Sequence, residues 1–277
     1  MYSPMALRIL DDRQRELVFL RPPRRIVSLV PSDTLNAAVL GFPVIGRTRY
    51  CDGDAPVIGG TKDVDVEAVA RLEPDLILAN QEENSRVHLE ALAQRGLPVF
   101  VSFPRTVTEG IAHLARLARI LETDARDLLR RGYQALQPRE KPPLRVFVPI
   151  WMNPLMTVNA QTFIGDALKL AGGENVFADR ERRYPLAADQ GRAVPGPAGD
   201  RDTRYPRITL EEAAARAPQI VLLPDEPHPF SESDAQVFRA ALPETKVVLC
   251  GGRDLMWYGA QSIEGLPRLR ALIDSLR

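Results

Sequence analysis

The sequence predicts an α/β protein of two lobes with parallel sheets joined by a long helical connector. Three observations carry that prediction. Short apolar strands alternate with helical patterns, the grammar of a parallel sheet with right-handed crossovers. The same order restarts past the middle of the chain, and a stretch with helical spacing alone lies between the two runs. At 277 residues the chain also exceeds one average domain.

The first lobe is assigned to residues 1–105. Residues 24–31 form a short β-branched apolar run ended by Pro31, which is how a strand buried on both faces reads. Residues 76–79 and 99–101 repeat the type. Ahead of each, residues 64–72 and 85–95 carry apolar side chains at helical spacing, and Gly96 stands where a C-terminal cap belongs. Residues 106–140 are assigned to the connecting helices. There Ile111, Leu114, Leu117, Ile120, Leu121, Leu128, Leu129 and Leu136 follow one stripe, and Thr123-Asp124 ends one helix and caps the next. Pro138, Pro142 and Pro143 stop the helical run. The second lobe, 141–277, opens with a strand over 145–149, then a helix over 163–171 closed by Gly172-Gly173.

The strongest sign of duplication is an ungapped match at an offset of 144 residues, 67 to 211 and 74 to 218. Helix, proline-bearing turn and buried strand coincide, from Val64 through Pro74 to Leu78 in one copy and from Ile208 through Pro218 to Leu222 in the other. Residues 179–205 break the pattern. They are rich in arginine, proline and glycine and read as a long loop, either a lid or a bland insertion.

Composition excludes several classes of function. Apolar residues make up 45% and charged residues 26%, ordinary for a protein with a real core. Lys plus Arg and Asp plus Glu each number 36, so no net charge is left to attract nucleic acid or an anionic membrane. No apolar run approaches the roughly 20 residues that span a bilayer. The start, Met1 to Asp12, lacks the basic and apolar regions of a signal peptide, so the chain as written is expected in the cytoplasm, or outside it with a signal removed. Cys51 and Cys250 are too few for a disulfide framework and read as two separate thiols. His88, His113 and His228 show no ligand spacing, so no metal site and no intrinsic cofactor are expected. No nucleophile elbow, P-loop or dinucleotide fingerprint is present, which argues against an enzyme.

The opening Asp11-Asp12-Arg13 with Arg25-Ile26-Val27-Ser28-Leu29-Val30-Pro31-Ser32 resembles that of the helical-backbone (class III) solute-binding proteins of ABC importers, whose ligands are cobalamin, haem and ferric siderophores. Two further blocks are similar to the family's: Val44-Ile45-Gly46-Arg47-Thr48-Arg49-Tyr50-Cys51 with Ile58-Gly59-Gly60-Thr61-Lys62, and Leu72-Glu73-Pro74-Asp75-Leu76. The likeness covers nearly the whole chain and is greatest to the cobalamin-binding branch. Leu223-Pro224-Asp225-Glu226-Pro227-His228-Pro229-Phe230 and Asp254-Leu255-Met256-Trp257-Tyr258-Gly259 resemble a signal-less, cobalamin-binding-like subgroup. The resemblance implies two Rossmann-like lobes, a bulky metal–organic ligand in the cleft between them, an ABC permease dimer as partner, and a monomeric receptor without enzymatic activity. The alternative is a cytoplasmic carrier, sensor or enzyme acting on a tetrapyrrole or another small molecule.

Open α/β sheets bind ligands beyond the carboxyl ends of their strands. Those ends supply the candidate ligand contacts Ser32, Asn80, Glu82, Phe103 and Arg105 in the first half. Trp151, Met152, Glu226, Phe230, Trp257 and Tyr258 come from the second. Tyr50 corresponds to a family tyrosine near the ligand, and Cys51 either faces the ligand or is a small buried hydrophobe. The aromatics would cover the ligand's faces, while Ser32, Asn80, Glu82, Arg105 and Glu226 would orient it. Glu67 and Glu211 sit at equivalent places in the repeated helices. The resemblance makes them docking contacts for permease arginines, whereas helix physics makes them first-turn carboxylates that favour the N-terminus.

Overall fold

The structure, a computed structural model, describes residues 6–138 and 141–277. The outer limits of the expected segments at residues 1 and 140 lie outside the described residues. The chain divides into two compact units. One holds the chain up to Pro104, Thr108–Gln134 and Tyr258–Gln261; the other holds Arg105–Val107, Ala135–Trp257 and Ser262–Arg277.

The first unit opens with an antiparallel hairpin, β1 (Leu7–Leu10) and β2 (Glu16–Phe19). Then come β3 (Ile26–Ser28), α1 (Pro31–Val39), β4 (Gly46–Arg47), α2 (Val66–Arg71), β5 (Leu76–Asn80), α3 (Arg86–Gln94) and β6 (Val99–Ser102). The four strands after the hairpin form one parallel sheet in the order β4-β3-β5-β6. Ile26, Leu76, Ile77, Leu78, Ala79 and Phe100 are fully buried, as strands covered on both faces must be. The helices expected over 106–140 are α4 (Val107–Ile120) and α5 (Arg126–Ala135). Almost all of both belongs to the first unit. Ile111, Leu114, Leu117, Ile120 and Leu121 are buried, and His113 stacks on Phe100 of β6 at 5.8 Å, so the apolar stripe is used for packing. The Asp124 carboxylate accepts from the Arg126 amide at 3.0 Å where a cap was expected.

The second unit repeats the plan. Its elements are β7 (Leu144–Phe147), β8 (Pro149–Met152), β9 (Leu155–Thr157), α6 (Phe163–Ala171), β10 (Gly173–Asn175), α7 (Leu186–Asp189), α8 (Leu210–Ala215), β11 (Ile220–Pro224), α9 (Glu232–Ala241), β12 (Lys246–Cys250), α10 (Arg253–Met256) and α11 (Ala260–Ser275). The parallel sheet runs β10-β7-β11-β12, and β8-β9 is an antiparallel hairpin. Alternation along its strands splits the core between two faces. Val146, Ile220 and Leu222 join Leu168, Leu266 and Ile273 on one face; Phe147, Val221 and Leu223 join Phe177, Phe230 and Phe238 on the other. Gly172 ends α6 at φ 94°, a left-handed cap that glycine adopts without penalty.

The 144-residue offset holds residue by residue, α2 matching α8 and β5 matching β11. Asp65 and Thr209 each cap their helix by accepting the third amide, from Ala68 and Glu212. Before each proline stands a non-glycine residue in the left-handed region, Glu73 at φ 43° and Ala217 at φ 44°, an uncommon conformation. An arginine steadies each turn. Arg25 donates from Nε to the Glu73 carbonyl (3.1 Å) and from Nη2 to that of Leu72 (2.6 Å). Arg145 does the same to Ala217 and Arg216. Two units therefore share one built turn.

Candidate functional site

In the first unit, three loops at the strand ends are tied by one side chain. Buried Asn84 accepts the Asn80 amide at 2.8 Å and donates to the carbonyls of Leu29 (3.1 Å) and Thr61 (3.0 Å). Asn80, itself buried, accepts the amides of Glu82 (2.8 Å) and Glu83 (3.3 Å), and Lys62 Nζ donates to the Glu82 carbonyl at 2.5 Å. Thus Asn80 and Glu82 are brought together, Asn80 as the fixed base of a turn and Glu82 as its half-exposed tip. Ser32 is buried in the first turn of α1. Gly59 enters its loop at φ 104°, where a side chain would run into the Asp63 carbonyl, so the glycine of this motif is a backbone requirement.

Tyr50 is 58% exposed, with the Arg49 guanidinium 5.8 Å from its ring and that guanidinium paired to Asp63. Neighbouring Cys51 turns inward, its Sγ 3.1 Å from Thr48 Oγ1. Burial pushes its thiol up, against the opposing hydrogen bonds of Thr34 and Thr48, which fits the small-hydrophobe alternative. Phe103 is half-buried, and its amide donates to Asp12 at 2.6 Å.

The first unit also contains a buried polar network that the sequence did not announce. Asp33 on α1 has no exposed surface. It receives hydrogen bonds from His113 Nε2 (2.7 Å), Asn36 Nδ2 (3.0 Å) and the Tyr258 hydroxyl (2.9 Å). Ser102 Oγ lies 2.9 Å from that hydroxyl. On the far side of the imidazole, the donor-only Arg116 guanidinium stands 3.4 Å from Nδ1. The bond network therefore assigns the ring proton to Nε2, given to Asp33. Arg116 in turn grips Asp12 through both nitrogens, at 2.6 and 3.0 Å. Burial raises the Asp12 carboxyl, but the hydrogen bonds from Arg116 and Phe103 outweigh it and hold the group below its usual range. Burial, with the Asp33 charge, pushes the Tyr258 phenol far above its ordinary range. Expected as a ligand contact, Tyr258 spends its hydroxyl inside this network.

In the second unit, Trp151 on β8 is 42% exposed, with its indole N–H donated to the Asn153 carbonyl at 3.1 Å. Behind it runs an aromatic row: Trp151 to His228 at 5.5 Å, His228 to Phe230 at 4.6 Å, Phe230 to Phe238 at 6.2 Å. These separations are those of favourable edge-on pairs. Phe230 is buried in the core and backs the row, while half-buried Met152 flanks it on the same strand. Glu226, half-buried, lies on the loop after β11, where Gly252 leaves no room for a Cβ beside it. Trp257 is only 6% exposed and carries the Arg253 guanidinium 4.3 Å from its ring. Arg105 is exposed and groups with the second unit.

The repeated acidic pair is not equivalent in its contacts. Exposed Glu67 is ion-paired to Arg95. Exposed Glu211 sits in the capping turn of α8, where backbone and Thr209 hydrogen bonds hold its carboxyl below the usual range. Among the described residues no cluster of three or more His, Cys, Asp or Glu could hold a metal ion, and no helix is long and apolar enough to cross a membrane.

Two parallel α/β units of equivalent strand order make up the fold, which is also that of periplasmic binding proteins of solved structure. Comparison with known proteins agrees. No family model matches the chain. The vitamin B12-binding protein of Yersinia pestis (strain Pestoides F) is 28% identical over 213 residues, 72% of this chain and 69% of that protein. The crystal structure of the periplasmic vitamin B12-binding protein BtuF of Vibrio cholerae superposes with a TM-score of 0.72 at 19% identity, over 92% of this chain and 98% of that one. The haem-binding protein HutB of Vibrio cholerae gives 0.68 at 18% identity, over 90% and 98%. The chain thus shares the fold of these periplasmic binding proteins and is similar in sequence to the vitamin B12-binding protein, the likeness expected from its opening motifs.

Proposed function

We propose that this protein binds a bulky metal–organic ligand, a cobalamin-like corrinoid first among them, as the solute-binding component of an ABC importer. The observation that carries the reading is the aromatic row ending in exposed, hydrogen-bonded Trp151 at a strand end of the second unit. A ring held in place and open to solvent can cover the face of a flat macrocycle at little further entropic cost. Similarity to proteins named for vitamin B12 supports the corrinoid over other chelates. Tyr50, Trp151 and Met152 then supply contact area, and Ser32, Glu82, Arg105 and Glu226 polar contacts. Glu67 and Glu211 meet permease arginines. The reading requires the protein to meet its permease outside the cytoplasm, the compartment named for the solved relatives; cell fractionation tests that requirement.

The test of binding is a spectroscopic and calorimetric titration with cobalamin, cobinamide, haem and a ferric-siderophore panel. Saturable one-to-one binding of one of them is expected. Absence of binding across the panel would overturn the proposal.

A further inference from the structure

The arginine-rich segment of the second unit contains an imbalance of charge that its own folding does not use. Most acidic groups around it are committed to one arginine each. Asp189 and Glu212 hold Arg180, Asp179 holds Arg216, and Asp202 holds Arg204. Among the described residues Arg182, Arg183 and Arg207 form no ion pair with a carboxylate, nor do Arg192 and Arg201, and on the acidic side Glu181 and Asp200 are in none. Asp189 accepts the backbone amides of Arg183 and Arg207, at 2.8 and 2.7 Å, and its charge also favours the Arg207 guanidinium, though without an ion-pair contact.

These cations are not simply solvated. The Nε atoms of Arg182 and Arg207 are both buried and meet no acceptor from the protein. Burial, and then repulsion from Arg182, pull the Arg207 guanidinium below its ordinary range, so the two lie close enough to oppose each other. Tyr184 orients the group, with the Arg182 guanidinium 4.8 Å and that of Arg201 3.9 Å from its ring centre. Arg180, Arg182, Arg183 and Arg216, with the carboxylates of Asp179 and Glu181, line a concavity of about 450 Å³, four cations against two anions.

We infer that this concavity is an anion site for a phosphate-type oxyanion, held by Arg182 and Arg183. Residues 179–207 carry seven arginines against five carboxylates, an excess of two positive charges that suits a dianion. A planar fork of N–H donors suits tetrahedral oxygens, and buried donors bind most strongly where acceptors are charged. The site stands apart from the proposed chelate-binding residues, so either can fail without the other.

The experiment is calorimetric titration of the whole protein with inorganic phosphate and, in a second arm, with glycerol phosphate, at constant ionic strength. Saturable binding is expected, weakened about tenfold or more by Arg182→Gln. Arg183→Gln, at an exposed position that leaves the fold intact, should weaken it in the same sense. Tighter binding of the ester would assign the site to the phosphate of a larger molecule, and equal or weaker binding to free phosphate; both support an oxyanion site. No saturable heat from wild type in either arm, or Arg183→Gln binding as wild type, would overturn the inference.

Discussion

Tyr258→Phe removes one oxygen from the buried network and nothing else. The ring keeps its edge-on contact with His113, 5.5 Å away, so no cavity opens. What is lost is one of three short hydrogen bonds to Asp33, a carboxylate with no exposed surface to recruit water in its place. A hydrogen bond to a buried charged group contributes about 1.5–3 kcal/mol, so the first unit should lose about 2 kcal/mol. For a unit of this size that lowers its melting temperature by about 4–8 °C. Differential scanning calorimetry and urea denaturation measure it directly. Ligand affinity is the second readout, because the hydroxyl faces Asp33 and Ser102, and it should change by less than about threefold. A variant with wild-type melting but strongly weakened ligand binding would refute the reasoning and return Tyr258 to the contact set.

Three more perturbations follow from the geometry. Arg180, 4% exposed, bonds Asp189, Glu212 and the Asp189 carbonyl, so Arg180→Met should destabilise the second unit by about 3–5 kcal/mol and open residues 179–207 to proteolysis; unchanged urea midpoints and protease patterns would contradict this. Trp151→Ala should weaken ligand binding with melting unchanged, whereas Trp257→Ala, at a buried ring, should lower the melting temperature first; the reverse order in calorimetry would exchange their roles. Burial, then the charges of Asp225 and Asp254, push the Cys250 thiol up to about 12 from an ordinary 9.0. The unfolded chain ionises first, so the stability this thiol contributes is whole below pH 9 and is lost as pH rises towards 12. Wild type should therefore lose stability over that window faster than Cys250→Ala, and parallel curves would disprove the linkage.

Much of the fold was legible because it rests on local signals. Apolar runs at 24–31 and 76–79 became β3 and β5, and the 144-residue offset survived as matching helices, turns and strands. The hairpin β1–β2 was missed, since two four-residue strands with one buried side carry too little periodicity. The candidate site was legible as positions along strands, less as roles. Asn80 ends β5, while Tyr258 lies past α10 and not at a strand end, and the polar atoms of both serve their own unit. The network of Asp12, Asp33, His113, Arg116 and Tyr258 joins residues up to 225 positions apart, and no local pattern announces it. His113 looked like an isolated histidine for that reason. Residues 179–205 read as loose because the buried ion pairs of Arg180 cross distances of 9 and 32 positions.

The paired turns before Pro74 and Pro218 show what duplication preserved. Each arginine grips main-chain carbonyls, groups that every residue carries, so the socket is blind to the side chains it holds. Leu72-Glu73 in one copy and Arg216-Ala217 in the other could diverge while the left-handed turn stayed. Inheritance here lies in a pattern of donors, and the occupants drifted. The turns themselves are on that account exchangeable: a chimera swapping residues 72–74 for 216–218 should keep its anchorage as long as Arg25 and Arg145 remain in place.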